Sequence, residues 1–213
     1  MEVRRSISAC NDMKNRFDQE YWLQHELPRR LHAVAAVEMA AEIYLTSPER
    51  FEIRFDGKLK IRGLPSGFFN PVLEAGVLHG RALLEFLGLK TPPGGEVKLV
   101  PRKNKDKKPD DVVIEMFQKE GGEFLQKVTP AQVRERYPSD PDPDLAERAL
   151  AGMIIDSNKL LAHCTLQSGL DARDQSLLIA CAEVLALVRQ YVYRPLNRPV
   201  PSLGFTLETN GEG

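Results

Sequence analysis

Four long stretches of the chain carry apolar side chains at helical spacing, and they constrain the fold more than any other feature. They are residues 29–45, 71–87, 145–166 and 173–194. In the second stretch Leu73, Val77 and Leu84 recur on one helical face. In the first, Glu38 and Glu42 lie four residues apart on one narrow polar strip, so we expect this helix to be central and well buried.

Residues 51–62 change from a helical period to a period of two, which predicts a β-hairpin. A two-residue Asp-Gly turn would pair Phe55 with Lys58 and mix the two faces of the ribbon. A three-residue loop over residues 55–57 instead pairs Ile53 with Leu59, and we expect this second register. Because a lone two-stranded ribbon is marginally stable, a helix should cover its apolar face.

Together these segments predict an all-α fold, a helical bundle of about five or six helices with one small β-hairpin at about 51–62. Pro28 suits the first turn of the helix over residues 29–45, where its missing N–H has no cost. We expect a single helical domain over residues 1–195. A Pro/Gly-rich C-terminal tail should follow over residues 196–213.

The composition is that of a globular protein, with 42% hydrophobic and 28% charged residues. A net charge of -1 argues against bulk attraction to nucleic acid or a membrane. The three cysteines, Cys10, Cys164 and Cys181, form no CxxC spacing, so we expect no disulfide framework and a cytoplasmic location. No secretory signal is evident, and the most apolar run, residues 177–188, is too short to span a bilayer and contains Glu183.

The late helix places four polar side chains, Asp156, Asn158, Lys159 and His163, in an otherwise apolar run. Asp156 and His163 share one stripe, but seven steps of helical rise separate them by roughly 10 Å, too far for a hydrogen bond. Two interpretations are open. The group is a polar site that faces a partner helix or a second subunit, or His163 packs in the core with one ring nitrogen bound to a carbonyl.

A second group lies on the helix over residues 71–87 and consists of His79, Arg81 and Glu85. Arg81 and Glu85 are four residues apart and can form an ion pair along the helix. If this helix packs antiparallel to the late helix, His79 could approach His163. Two histidines and a carboxylate could bind a metal, but no HExxH or comparable spacing is present, so we predict neither a metal nor another cofactor.

A basic loop is the feature that suggests nucleic acid. It contains Arg102, Lys103, Lys105, Lys107 and Lys108. Five cations in seven positions would supply phosphate contacts. No interleaved aromatic residues support base stacking, and the near-zero net charge favours a solvated loop beside acidic neighbours, so nucleic acid stays an open partner that we do not favour.

Three short runs resemble, in order and spacing, a group of uncharacterised bacterial helical proteins. They are HGRALLEFL at 79–87, PDDVV at 109–113 and NKLLAHCT at 158–165. In that group a helix with an R-x-L-x-[DE]-F-L pattern precedes an Asp-Asp-Val turn, and a later helix carries N-K-x-L-A-H. The resemblance implies no activity, because none is established for the group.

The late run is also distantly similar to the HEPN helical superfamily. Many HEPN proteins are RNases of toxin–antitoxin and phage-defence systems, with an Arg-x4-6-His motif on a late helix. Here Asn158, Ser157 and Asp156 lie five to seven positions before His163, and none is arginine. The departure removes the cation expected at the phosphate, so the resemblance implies a non-catalytic or a nucleotide-binding relative.

The leading functional hypothesis is a cytoplasmic helical binding or interaction domain of unknown ligand that self-associates. No nucleophile–base set can be assembled from the sequence, which favours a binding protein over an enzyme. One alternative is an HEPN-like RNase or RNA-binding protein with His163 as general acid or base. Another is a metal-dependent enzyme that uses His79 and His163. The candidate catalytic residues are therefore His163, Asn158, Asp156, His79 and Arg81.

Overall fold

A computed structural model of the chain describes residues 17–46, 51–136, 142, 144–160 and 175–203. The described residues are 59% helical and form five helices. They also form two small two-stranded antiparallel sheets, of which the hairpin over residues 51–63 is the longer. The expectation of a mostly helical protein with one β-hairpin is therefore confirmed. His163, the first of the candidate catalytic residues, lies outside the described residues, as do Cys10 and Cys164.

The first helix is one continuous run of three elements. They are α1 (Gln19–Tyr21), the π-helical turn π1 (Trp22–Glu26) and α2 (Leu27–Thr46). Pro28 therefore does not begin a helix, and that expectation is wrong. Proline has no N–H and its ring clashes with the carbonyl four residues earlier, so the helix widens just before it. The Leu27 N–H pairs with the Trp22 carbonyl, five residues back, and the run continues.

The hairpin between α2 and the next helix has a register different from the one expected. Its strands are β1 (Phe51–Phe55) and β2 (Lys58–Gly63). Phe55 lies opposite Lys58 across an Asp-Gly turn whose residues have φ of 49° and 72°, as a type I′ turn requires. A β-bulge at Lys60 then shifts the pairing, so Ile53 lies opposite Ile61. The bulge, rather than a longer loop, brings the apolar residues together.

The hairpin has little cover among the described residues, in contrast to the expected helical cover. Leu59 and Ile61 are 41% and 51% exposed. Its polar side is held by Glu52, which accepts from Arg54 at 2.7 Å and lies 2.6 Å from a guanidinium nitrogen of Arg62. The ribbon thus extends from the helical body and is stabilised mainly by its own strands.

The second long helix, α3 (Pro65–Leu87), begins six residues earlier than the periodicity predicts and contains Pro71 in its interior. It ends as expected at Gly88, whose φ of 92° is the left-handed conformation of a helix C-cap. Gly76 faces α2 so closely that a Cβ there would overlap the Val37 side chain. This close approach makes α2 and α3 the central pair of the fold.

Residues 89–136 form an irregular wall against the central pair. Its regular elements are β3 (Leu89–Lys90), β4 (Val100–Pro101), two 3-10 turns (Asn104–Asp106 and Ile114–Met116) and α4 (Pro130–Arg134). Asp110 and Asp111 would favour a short helix over residues 112–118, since acidic residues stabilise a helix N-terminus, but the chain forms only the 3-10 turn there. Thr129 caps α4 in a capping box with Gln132, as its position before a proline suggests.

Two further helices complete the core, α5 (Leu145–Leu160) and α6 (Gln175–Val188), the latter extended by the π-helical turn π2 (Arg189–Tyr193). Both pack against α2 or α3 as well as each other. In the part of the chain that the structure describes, residues 175–193 are long and apolar enough to cross a membrane, with a mean hydropathy of 1.4, but half of that stretch is buried inside the protein.

The end of the described chain packs on the beginning. The Tyr193 hydroxyl donates to the Leu23 carbonyl at 3.1 Å and joins π2 to π1. Beyond it Leu196 is buried, and Arg198 forms an ion pair with Glu20. The first part of the segment assigned to a C-terminal tail therefore lies against the helical body.

Candidate functional site

A cleft of about 310 Å³ lies between the start of α2, the end of α3 and residues 102–112. Its apolar lining comes from Trp22, Leu27, Leu83, Phe86 and Val112. Its polar lining comes from Arg30, Glu85, Arg102, Asp110 and Asp111. Apolar walls with a few placed polar groups are typical of small-ligand sites in proteins.

The π-helical turn brings the single tryptophan of the sequence, Trp22, to the cleft. An extra residue in a helical turn rotates the residues before it relative to those after it, and such turns occur often at functional sites. Pro28 explains this local distortion, since the α-helical hydrogen bond to the Gln24 carbonyl is unavailable. Pro28, which the sequence analysis placed at a helix boundary, therefore shapes one wall of the site.

Arg30 is the cation of this cleft with the longer ion pair, because its carboxylate partner Glu26 is bound more closely by Arg29. Its guanidinium lies 4.0 Å from a Glu26 oxygen, while Arg29 holds the same oxygen at 2.8 Å. Burial lowers the pKa of Arg30, Arg29 lowers it further, and Glu26 acts in the opposite direction. The charge is partly desolvated and only loosely neutralised.

His79 lies against this arginine, with its Nδ1 at 3.3 Å from an Arg30 Nη1. Burial lowers the pKa of His79, and the charges of Arg30 and Arg29 lower it further. The ring is therefore neutral at pH 7, and Nδ1 accepts the hydrogen bond while Nε2 carries the proton. His79 thus orients Arg30 rather than competing with it for an anion.

Arg102 forms the opposite wall and is only 9% exposed. It donates to Asp111 and, at 3.0 Å, to the Asp106 carbonyl. Burial opposes ionisation of the Asp111 carboxyl, but hydrogen bonds from the Lys108 N–H and Arg102 outweigh it and lower the pKa. The first cation of the basic loop is therefore part of the scaffold.

The rest of the basic loop divides into bound and exposed lysines. Lys107 forms an ion pair with Glu115 at 2.6 Å and is half-buried. Lys103, Lys105 and Lys108 are exposed. The five cations thus do not present one continuous surface for phosphates, because two of them are engaged within the fold.

Arg81 joins two of the candidate groups that the sequence placed on different helices. Its Nε donates to Glu85 at 2.8 Å, which confirms the geometry of the expected helical pair, and its Nη1 donates to Asn158 Oδ1 at 2.6 Å. Glu85 also lines the cleft. A polar connection therefore runs from the cleft along α3 to α5.

The remaining candidates are not brought together. Asp156 is half-buried on α5, and the predicted approach of His79 to His163 falls outside the described residues. Within the described ranges no group of three or more His, Cys, Asp or Glu side chains could hold a metal ion. The Arg30 cation beside His79 would moreover oppose a metal at that ring.

Arg30 and Trp22 are the site residues that the sequence reasoning missed. The sequence does contain a signal for Arg30, which lies three residues after Leu27 and four before Val34 on the buried stripe of α2. An arginine on such a stripe has to be accommodated by a polar cleft or a partner. No comparable signal identifies Trp22, because the π turn changes its direction.

No protein-family model matches the chain, and no curated protein or solved structure shows significant similarity to it. The fold and the cleft are therefore the only basis for classifying the protein. They describe a mostly helical protein with a concave polar site beside its central helix pair.

Proposed function

We propose that this protein is a binding domain, built as a helical bundle, whose cleft holds a small ligand. The single observation that carries the proposal is the cleft itself, in which an arginine with no close carboxylate lies beside an aromatic and aliphatic wall. Its volume of about 310 Å³ is at the lower end of the range for small-molecule sites. The ligand is accordingly small.

Binding rather than catalysis is favoured by the chemistry of the lining. None of the residues that line the cleft is a serine, threonine or cysteine that could act as a nucleophile. The imidazole of His79 does not line the cleft, and one of its nitrogens is engaged with Arg30. The buried thiol of Cys181 has a pKa raised to about 12 by burial, so it is a poor nucleophile. A cytoplasmic location is a further part of the proposal.

The fluorescence of Trp22 tests the proposal, since it reports on the cleft alone in this single-tryptophan chain. A library of small fragments is titrated against the wild-type protein and against Ala82→Phe, which fills the cleft. Leu78→Phe, at an exposed position of the same helix, is the matched control. We expect several fragments to change the emission of the wild type and the control but not of Ala82→Phe. A library without any such fragment rejects the proposal.

A second candidate function, an HEPN-like RNase or RNA-binding protein, is favoured by one observation. Asn158 is one of the three positions before His163 at which that superfamily can have its arginine, and Arg81 donates to it from α3. The Arg81 guanidinium thus lies beside a position where the HEPN motif would have an arginine and this sequence has none. The expectation is RNA cleavage that falls at least tenfold in both His163→Ala and Arg81→Gln, but not in Arg189→Gln at an exposed position. Equal background cleavage by the wild type and His163→Ala rejects it.

Self-association is a further part of the proposal. The hairpin exposes Leu59 and Ile61, and a second copy of the chain would cover them. Size-exclusion chromatography with light scattering should show a dimer that dissociates on replacement of both residues by serine. A monomer at high concentration removes this part and leaves the ligand-binding part unaffected.

A further inference from the structure

The geometry points to an anionic ligand, a carboxylate or a phosphate attached to a flat apolar group, with Arg30 as the residue that binds the charge. This inference rests on the proposed function and names the class of ligand. It follows from the balance of charges in the cleft, from the donors that Arg30 leaves free, and from the shape of the apolar wall.

The charges of the cleft are closely paired except at Asp110 and Arg30. Glu85 is bound by Arg81, and Asp111 is bound by Arg102. Asp110 is exposed, so water screens its charge. Arg30 is 24% exposed, and its closest carboxylate oxygen among the described residues is at 4.0 Å. A ligand with a negative group would supply a closer partner for Arg30 than Glu26, whose oxygen Arg29 holds at 2.8 Å.

The guanidinium is prepared for this role by its neighbour. His79 accepts from one Nη1 and fixes the side chain, which leaves other N–H donors of the planar fork for a ligand. Arginine recognises carboxylates and phosphates through two parallel hydrogen bonds. Partial burial strengthens that interaction because the local dielectric constant is lower than in water.

The apolar part of the ligand follows from Trp22, Leu83 and Phe86. Trp22 is half-buried while Leu83 and Phe86 are buried, so an aromatic and aliphatic surface meets the cleft. With about 30 Å³ per water molecule in the liquid, a volume of about 310 Å³ corresponds to roughly ten waters. One aromatic ring with an anionic substituent fits this space.

Three probes that share one phenyl ring and differ in the attached group distinguish the contribution of the charge to binding from that of the ring. They are benzoate, phenyl phosphate and neutral benzamide, each titrated by Trp22 fluorescence and by ligand-observed NMR. We expect at least one of the two anions to bind at least tenfold more tightly than benzamide. Benzoate and phenyl phosphate then show whether the natural source of the charge is a carboxylate or a phosphate.

The variants assign the preference to one residue. Arg30→Gln should remove the difference between anion and benzamide, whereas Arg189→Gln, at an exposed position that does not line the cleft, should retain it. Arg30→Lys keeps the charge but loses the planar guanidinium, and it should show a reduced preference for the anions. If Arg30→Gln does not fold, an unreduced preference in Arg30→Lys would overturn the assignment to Arg30. Circular dichroism verifies the helical content of each variant.

The inference and the proposed function fail in different ways. Equal binding of benzamide and both anions, or an anion preference that survives in Arg30→Gln, overturns the inference and leaves the ligand-binding function in place. If none of the three probes binds, the inference also fails. In that case the fragment library decides separately whether the cleft binds small molecules at all.

Discussion

At the scale of single residues, Glu147 shows how one buried carboxylate connects distant segments. It is 6% exposed, accepts from the Leu99 N–H at 2.9 Å and pairs with Arg134 at 2.6 Å. It therefore attaches both the loop after β3 and the short helix α4 to α5. The pair with Arg134 is partly exposed on the arginine side and contributes little, so the bond to the Leu99 N–H matters more.

Glu147→Ala should lower the free energy of unfolding by about 2–3 kcal/mol, since the buried Leu99 N–H loses its acceptor. Glu147→Gln should cost less, because the amide oxygen can still accept that hydrogen bond. Urea denaturation measures both, with Glu74→Ala on the exposed face of α3 as a control within about 0.5 kcal/mol of wild type. Equal costs for the Ala and Gln variants would show that the charge pair dominates.

At the scale of elements, the π turn π1 depends on two residues that are far apart in the sequence. In a π register the Leu23 carbonyl would pair with the N–H five residues later, and that position is Pro28, which has none. The Tyr193 hydroxyl donates to this carbonyl instead. Burial raises the pKa of Tyr193, so the hydroxyl keeps its proton throughout the neutral range.

Tyr193→Phe should lower the free energy of unfolding by about 1–3 kcal/mol, because the Leu23 carbonyl is left unpaired in the core. In a Pro28→Ala background the new N–H can reach that carbonyl, and the same change should cost less. A double-mutant cycle by urea denaturation measures the difference. Tyr191→Phe, on a half-buried neighbour, is the control. An identical cost in both backgrounds would contradict this account of π1.

The close packing of α2 on α3 predicts a graded response to Gly→Ala changes in α3. At Gly76 a Cβ would overlap Val37 and lie 3.2 Å from the Ala33 carbonyl, so Gly76→Ala should cost about 1–3 kcal/mol. At Gly80 the obstacle is the flexible end of Met153, and the cost should be smaller. Gly67→Ala meets nothing and should be neutral or stabilising by up to about 1 kcal/mol. Thermal denaturation ranks the three variants, and a Gly80 variant less stable than the Gly76 variant would contradict the order.

At the scale of the whole molecule, buried or hydrogen-bonded carboxylates make the stability depend on pH. The pKa values of Asp111 and Glu115 are lowered, because ion pairs and hydrogen bonds outweigh the opposing effect of burial. A carboxyl whose pKa is lower in the folded state stabilises the fold above its unfolded pKa. That contribution is lost as the pH falls through the folded pKa.

We therefore expect the urea midpoint to decrease as the pH falls below the ordinary values of 4.5 for Glu115 and 3.8 for Asp111. Asp111→Asn should lower the midpoint at pH 7, because Arg102 loses its charged partner, and should make the decrease in acid smaller. Asp56→Asn, in the exposed hairpin turn, should leave the profile unchanged. A midpoint that is independent of pH between 7 and 3 would contradict the assignment.

The sequence by itself determined the helices, the presence of the hairpin and the end of α3 at Gly88, because periodicity, turn residues and caps act over a few positions. The predicted start of α3 at residue 71 and the predicted register of the hairpin were both wrong. A proline and a bulge can each be accommodated once neighbouring structure fixes the backbone around it. Helix and turn propensities allow either start of α3 and either register of the hairpin, so they do not decide between them.

Only the tertiary structure decided the long-range partners of the charged residues, since the sequence predicted just the local pair of Arg81 with Glu85. Arg81 reaches Asn158 across 77 positions of the chain, and Arg30 reaches His79 across 49. Electrostatic and hydrogen-bond energies depend on distances of a few ångströms that the packing of α2, α3 and α5 sets. For this reason the cleft and the loose ion pair of its arginine could not be predicted from the sequence, although the sequence contains every residue that forms them.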